Sequence, residues 1–450
     1  MLRAMMKAHT LRMTEGSPTR LLMVFAVPLL IGNIFQQAYN LADSIIVGRF
    51  VGAAALAAVG ASASISFLFF SICHGVSGGG GIITAQYFGA GDTENVKKAI
   101  ANSAYIMFGG SLLMSIIAYI AAPQVLRLVG TPEDILPDSI VYMHMCCIGL
   151  PFVGVYNYSA SMLRSLGDSR TPLLFLVVSC LLNVGLDLLF VRRLNLGVFG
   201  VAFATTLAQL IAGASCLIYA IRTNPYFHLR RDHLRPDWAM CLRAVKLGVP
   251  LAMQWSLIAV SSTAVQRVVN SFGTMAVAAF TATNRIEQLV HQPYGSLSMA
   301  LSTYSSQNLG AERLDRVRLG FRRGMLICGA FSLVMLAVMQ AFGGSIVGVF
   351  VEDAEVIALG GRALRLTSLM YIFLALINVI RGILNGAGDV LFSMMNGIVE
   401  ALTRIFLPMA LLLIPGIGVW AIWWTTGLSW VISSAFCLLR YRTWLRKHPG

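Results

Sequence analysis

Twelve apolar stretches follow one another from Leu21 almost to the C-terminal residue, with only short polar breaks between them. Crossing a hydrocarbon core of about 30 Å takes roughly 20 residues of helix, and each stretch is long enough. The spans read as 21–48, 54–82, 99–122, 139–163, 172–191, 197–221, 246–272, 276–300, 321–350, 362–386, 391–414 and 418–440. A chain of 450 residues that is 57% hydrophobic and only 12% charged is too apolar for soluble domains. The expected fold is therefore an all-α polytopic membrane protein. Because the first stretch contains Pro28, several amides and Asp43, and exceeds a signal-peptide core in length, it reads as a permanent helix with no cleaved signal.

Charge and cysteine usage narrow the class further. The net charge of +14 lies in short loops, which points to positive-inside topology and away from nucleic acid. Arg3, Lys7, Arg12 and Arg20 precede the first span, Lys97 and Lys98 follow the second, and Arg164 and Arg170 follow the fourth. Arg222, Arg230, Arg231, Arg235 and Arg243 lie between spans six and seven, and Arg313 to Arg323 and Arg440 to Lys447 follow spans eight and twelve. Opposite loops hold few bases, so both termini are expected in the cytoplasm of a bacterial-type plasma membrane. The eight cysteines sit mostly in apolar helices without zinc-like pairing and read as small hydrophobes.

The chain is internally repeated. At a shift of about 220 residues, Gly248-Val249-Pro250 repeats Ala26-Val27-Pro28, Gln307 to Ala311 repeats Gln86 to Ala90, and Gly388-Asp389 repeats Gly167-Asp168. Six spans per copy is an even number, so both copies share one orientation, with an axis along the membrane normal and one central cavity expected. The expected organisation is a 1–20 cytoplasmic segment, a 21–221 six-helix bundle, a 222–245 cytoplasmic linker, a 246–440 six-helix bundle and a 441–450 tail.

Acids inside spans are few, and each calls for a reason because a carboxylate at mid-membrane costs about 3 kcal/mol on insertion scales. Asp43 and Asp187 lie in the first half, Glu287 and Glu400 in the second. Gln36, Tyr39, Asn40 and Asp43 recur at i, i+3, i+4 and i+7 and share one helix face. Asn183 and Asp187 are four apart and share another. The two faces can bring two carboxylates and an amide into one pocket, where both acids cannot stay ionised cheaply and a proton is expected between them. The same oxygens can also suit sodium, and the residues do not choose. No such pocket is required by the repeat, since Asp43 maps onto Ala264 or Val265, Asp187 onto Pro408 and Asn183 onto Arg404. The substrate cavity is expected to include Gln36, Tyr39, Asn40, Asn157 and Glu287, where Glu287 either attracts cationic substrate or is neutralised by Arg381. Glu400 precedes Arg404 by four residues, a favourable intrahelical ion pair. Pro28 and Pro250 mark a kink common to both first helices. Gly78 to Gly81 lacks the strand and lysine of a phosphate loop and reads as close helix packing.

The stretch Gln36 to Ser44, the loop Gln86 to Gly91, Leu166-Gly167-Asp168 and Asn183 to Asp187 resemble the multidrug and toxic compound extrusion family over nearly the whole chain. That resemblance implies an ion-responsive first helix at positions matching Pro28 and Asp43, with Asn183, Asp187 and Thr205 joining Asp43 in a proton or sodium site. One branch of the family carries acids in helices seven and ten; Pro250 to Val260 and Tyr371 to Arg381 contain none, which places the expected coupling in the first half. The implied function is a monomeric antiporter exporting amphipathic, often cationic, small molecules in exchange for H+ or Na+. It would need no cofactor and no resident metal, and would bind no nucleic acid. Neither a nucleotide-binding motif nor a catalytic dyad is visible. The alternative is a flippase for a lipid-linked sugar, which would favour a more basic cavity.

Topology is directly testable. On a cysteine-free background, His228→Cys should react with an impermeant maleimide only after cells are opened. Labelling of intact cells would invert the orientation.

Overall fold

The computed structural model describes residues 10–448, so Arg3 and Lys7 of the N-terminal segment and the last two residues of the tail lie outside the described residues. Among the described residues, thirteen α-helices account for twelve span-length units: α1 (Pro18–Ile46), α2 (Ala53–Gly89), α3 (Thr93–Leu128), α4 (Leu136–Ser165), α5 (Arg170–Asp187), α6 (Gly197–Thr223), α7 (Trp238–Asn270), α8 (Thr274–Gly310), α9 (Leu314–Gly348), α10 (Ala354–Ser368), α11 (Tyr371–Gly386), α12 (Val390–Leu412) and α13 (Ala421–Lys447). The tenth span departs from the expected 362–386. It begins at Ala354 and breaks between Ser368 and Tyr371, with α10 and α11 bent by 51°. Hydropathy could not show this, because neither Gly nor Pro marks the break between Ser368 and Tyr371. Helices α2 and α8 also outrun their expected ends, since a helix need not stop where its apolar stretch does. At 33 and 37 residues, α7 and α8 are long enough to span.

Two π-helical turns extend first-half helices, Val47–Val51 after α1 and Leu188–Arg193 after α5. Their buried valines, Val47 and Val191, pack in one cluster with Ile46, Ala55, Val198 and Val201. Asp43 and Asp187 thus both sit at the entry to a π turn. Such turns inside α-helices occur often at functional sites.

The chain divides into two compact units. One comprises the residues up to Arg12 and Val27–Met253; the other comprises Met13–Ala26 and Gln254–Gly450. Each unit pairs its helices alike, α2 with α4 and α4 with α6 in the first, α8 with α11 and α11 with α13 in the second. The sequence repeat is therefore a structural one. Small residues set both contacts. A Cβ on Gly81 would meet Ser161 Oγ at 2.5 Å, one on Gly79 would strike the Ala244 carbonyl, and in the second unit one on Gly382 would meet the Ser298 carbonyl at 2.5 Å. The glycine run is close packing, as its sequence suggested. The other repeated motifs hold chain in place. Asp168 accepts from the N–H groups of Arg170 and Thr171 at 3.1 and 3.0 Å, capping α5, while Gly167 at φ +87° passes the Leu11 carbonyl too closely for any side chain. Gln307 accepts from Met13 N–H at 2.8 Å, and Asn308 and Arg316 donate to the Met13 carbonyl at 3.1 and 3.2 Å.

Gly79→Ala should destabilise the purified protein by about 1–3 kcal/mol, whereas Gly109→Ala, with no atom within 4 Å, should be neutral or slightly stabilising. Equal thermal unfolding curves for the two variants would contradict this packing.

Candidate functional site

In the first unit α1, α5, α6 and α4 each contribute to one buried polar cluster. Asp43 (9% exposed) and Asp187 (0%) bring their carboxyls within hydrogen-bonding contact of each other. Two carboxylates at that separation repel unless a proton or a cation lies between them. Asn183 is buried against the same pair. Because the Asp187 carboxylate offers lone pairs, the Asn183 amide nitrogen faces it and donates to Oδ2 at 3.1 Å, while its oxygen accepts from Thr205 Oγ1 and N–H, each at 3.2 Å. The Tyr39 hydroxyl reaches the Thr205 side chain. Oδ1 of each of Asp43 and Asp187 is buried without a hydrogen-bond partner among the described residues, leaving acceptor capacity in the cluster.

Four of the residues assigned to ion coupling from sequence, Asp43, Asn183, Asp187 and Thr205, are thus brought together, and Tyr39 joins them. Gln36 and Asn40 stand on the exposed flank of α1, outside the cluster. Asn157 on α4 donates to the Val153 carbonyl at 3.1 Å and contacts His74. Pro28 lies within α1. Two members were missed. Tyr142 and Cys146 of α4 hydrogen-bond each other beside Asp43, and Cys146 also meets Ser66. Treating every cysteine as a hydrophobe hid Cys146; the four-residue spacing of Tyr142 and Cys146 was the available signal.

The second unit treats its acids differently. Glu400 accepts from Arg404 at 2.8 Å along α12 and from Arg381 of α11 at 2.8 Å. Arg381 also donates to Asn396 Oδ1 at 2.7 Å, and Asn396 donates on to the Ser433 carbonyl at 3.0 Å. The Glu400–Arg404 pair expected from sequence is present. The suggestion that Arg381 neutralises Glu287 is corrected, because Glu400, with its carboxylate already on the α11-facing side of α12, takes that guanidinium. Glu287 instead meets Thr367, with Arg404 the nearest positive charge acting on it. Among the described residues no group of three or more His, Cys, Asp or Glu is placed to hold a metal ion.

A two-fold repeated, all-helical, multi-pass membrane protein with acids paired inside its spans defines a transporter-like class. The sequence profile of the MatE family matches residues 28–189 and 250–409, the two halves of the repeat. The chain belongs to the MatE family, a family of transporters and not of enzymes. It is 29% identical to the probable multidrug resistance protein YpnP of Bacillus subtilis over 442 residues, covering 98% of each chain. It is 28% identical to the probable multidrug resistance protein YoeA of the same organism, covering 85% of this chain and 84% of that one. In fold it matches a MOP superfamily transporter from Pyrococcus furiosus with a TM-score of 0.90 at 20% identity, covering 98% of each chain.

Glu400→Gln leaves two guanidinium groups without their shared carboxylate, so the variant should lose stability on the order of 3 kcal/mol. Glu287→Gln, which breaks no ion pair, should unfold near wild type. A fully stable Glu400→Gln protein would show that the triad is not structural.

Proposed function

We propose that this chain is a secondary-active antiporter that exports amphipathic, often cationic, organic compounds in exchange for a proton carried by the Asp43–Asp187 pair. The observation that carries this reading is the carboxyl–carboxyl contact, buried, flanked by Asn183, Thr205 and Tyr39, and free of any basic partner in the cluster. Glu400, by contrast, is neutralised twice over and has nothing left to exchange. Relatives named as multidrug resistance proteins support small-molecule export. Gln36 and Asn40 on the flank of α1, with Asn157 and Glu287, meet substrate, and Pro28 lets α1 respond when its carboxyl changes charge. The protein works as a monomer in a bacterial plasma membrane with both termini in the cytoplasm, where one proton moved across 100 mV supplies about 2.3 kcal/mol.

If a proton is exchanged for substrate at linked sites, each must change the other's affinity by the same factor. Wild-type protein should therefore bind substrate more tightly as pH rises from 5.5 to 8.5 in the absence of sodium. Asp43→Asn should fold, because it removes a buried charge, should bind substrate with no pH dependence, and should not accumulate substrate against a gradient in proteoliposomes. Retained pH dependence with active export would remove Asp43 from the mechanism. A wild-type affinity that follows sodium and ignores pH would replace the proton with sodium in the same pocket.

A further inference from the structure

The segment joining α6 to α7 is a folded hairpin, not a loose tether. Asn224 accepts from Tyr226 N–H at 3.0 Å, Phe227 is buried in the first unit's main core, and Tyr226 packs edge-on against Phe88 with ring centres 5.4 Å apart. Further along, Glu94 at the start of α3 accepts from Arg230 and meets His233 Nε2, both at 2.8 Å. Tyr105 donates to the Leu234 carbonyl, and Asp237 N–H donates to Asn102 Oδ1 at 2.8 Å.

Against this hairpin lies a groove of about 430 Å³, lined by Ala104 and Phe108 of α3, Tyr158 of α4, Leu217 and Ile221 of α6, and the hairpin itself from Phe227 to Leu229. Its walls are apolar and belong to spanning helices, whose adjacent surface exposes Ile218 and Leu210, so what fills it comes from the bilayer. Its mouth is basic. Arg230 is taken by Glu94 and Arg235 lies near Asp232, but the side chains of Arg222 and Arg231, next to the lining residues Ile221 and Leu229 in sequence, and that of the groove-lining His228 make no hydrogen bond or ion pair with the described residues. Trp238 is 79% exposed next to Leu234 and Leu242, which are also exposed, and this mixture of tryptophan, leucine and arginine is what the edge of a membrane selects.

We propose that this groove is a binding site for one anionic phospholipid, with an acyl chain between α3, α4 and α6 and the headgroup phosphate held by Arg222, Arg231 and His228. An apolar slot alone would accept any lipid. The unpaired bases at its mouth supply the preference for negative charge, and the pinned hairpin keeps them at a fixed height above it. The site is separate from the Asp43–Asp187 cluster and does not depend on which ion drives transport.

Native mass spectrometry of the purified full chain, titrated with dioleoyl phosphatidylglycerol or dioleoyl phosphatidylcholine, tests the assignment. Wild type should retain one phosphatidylglycerol in preference to phosphatidylcholine. Arg222→Gln with Arg231→Gln should weaken phosphatidylglycerol about 25-fold, roughly fivefold for each base removed, and leave phosphatidylcholine unchanged. Ala104→Phe fills the slot and should abolish the retained lipid while leaving the bases in place. Equal retention of both lipids by wild type, or an unaltered preference in the double variant, would mean annular lipid only and overturn the proposal. Because lipid retention is read without transport, a failed antiport assay leaves this result standing, and the reverse.

Discussion

Removing a carboxylate from water inside a membrane costs about 3 kcal/mol on insertion scales, and four acids of this chain face that cost within the spans. The second unit offsets it by charge: Glu400 lies between Arg381 and Arg404, and Asn396 ties the assembly to the Ser433 carbonyl. The first unit offsets it by company of the same sign, Asp43 against Asp187, which is stable only with a proton or a cation in between. A neutralised triad is fixed and serves as architecture. A pair that needs a mobile counter-charge changes state whenever that charge leaves, and the chemical asymmetry of the two halves lies in this difference.

Close helix contacts hold each unit. Interhelical contacts in both units rest on small residues, Gly81 against Ser161 in the first and Ser298 against Gly382 in the second, so α2–α4 and α8–α11 approach closely. The repeated Gln-containing motifs, at the C-terminal ends of α2 and α8, hold neighbouring chain, Gln307 through Met13 N–H and Gln86 through Arg243 at 2.7 Å. These contacts explain why the Gln motifs recur in both halves while the acid pair does not.

How much of this was legible in the sequence depended on whether the signal was periodic. The spans and the repeat were readable because apolar length and a fixed shift are one-dimensional features. Asp43, Asn183 and Asp187 were readable for a related reason, since i, i+4 and i, i+7 spacings define helix faces before any tertiary contact exists. Thr205 came only through family resemblance. What could not be read required cross-helix geometry. Arg381 chooses Glu400 over Glu287, Tyr142 and Cys146 approach Asp43 from α4, and the break between Ser368 and Tyr371 has neither Gly nor Pro to mark it. The π turns after Asp43 and Asp187 were invisible too, because one extra residue per turn leaves no trace in composition.

The two units exchange short pieces of chain: Met13–Ala26 belongs with the second unit, although Gln254 follows Ala26 by 228 residues. A ribosome adding 5–20 residues per second takes roughly 10 to 50 s to cover that interval. Throughout it, the segment leading into α1 is already made while Gln307, Asn308 and Arg316, the hydrogen-bonding partners of its Met13, do not yet exist. The first bundle cannot be completed in order of synthesis, and its opening residues must wait in the membrane or at its surface for the last third of the protein. Assembly of this transporter is thus obliged to finish near where it began.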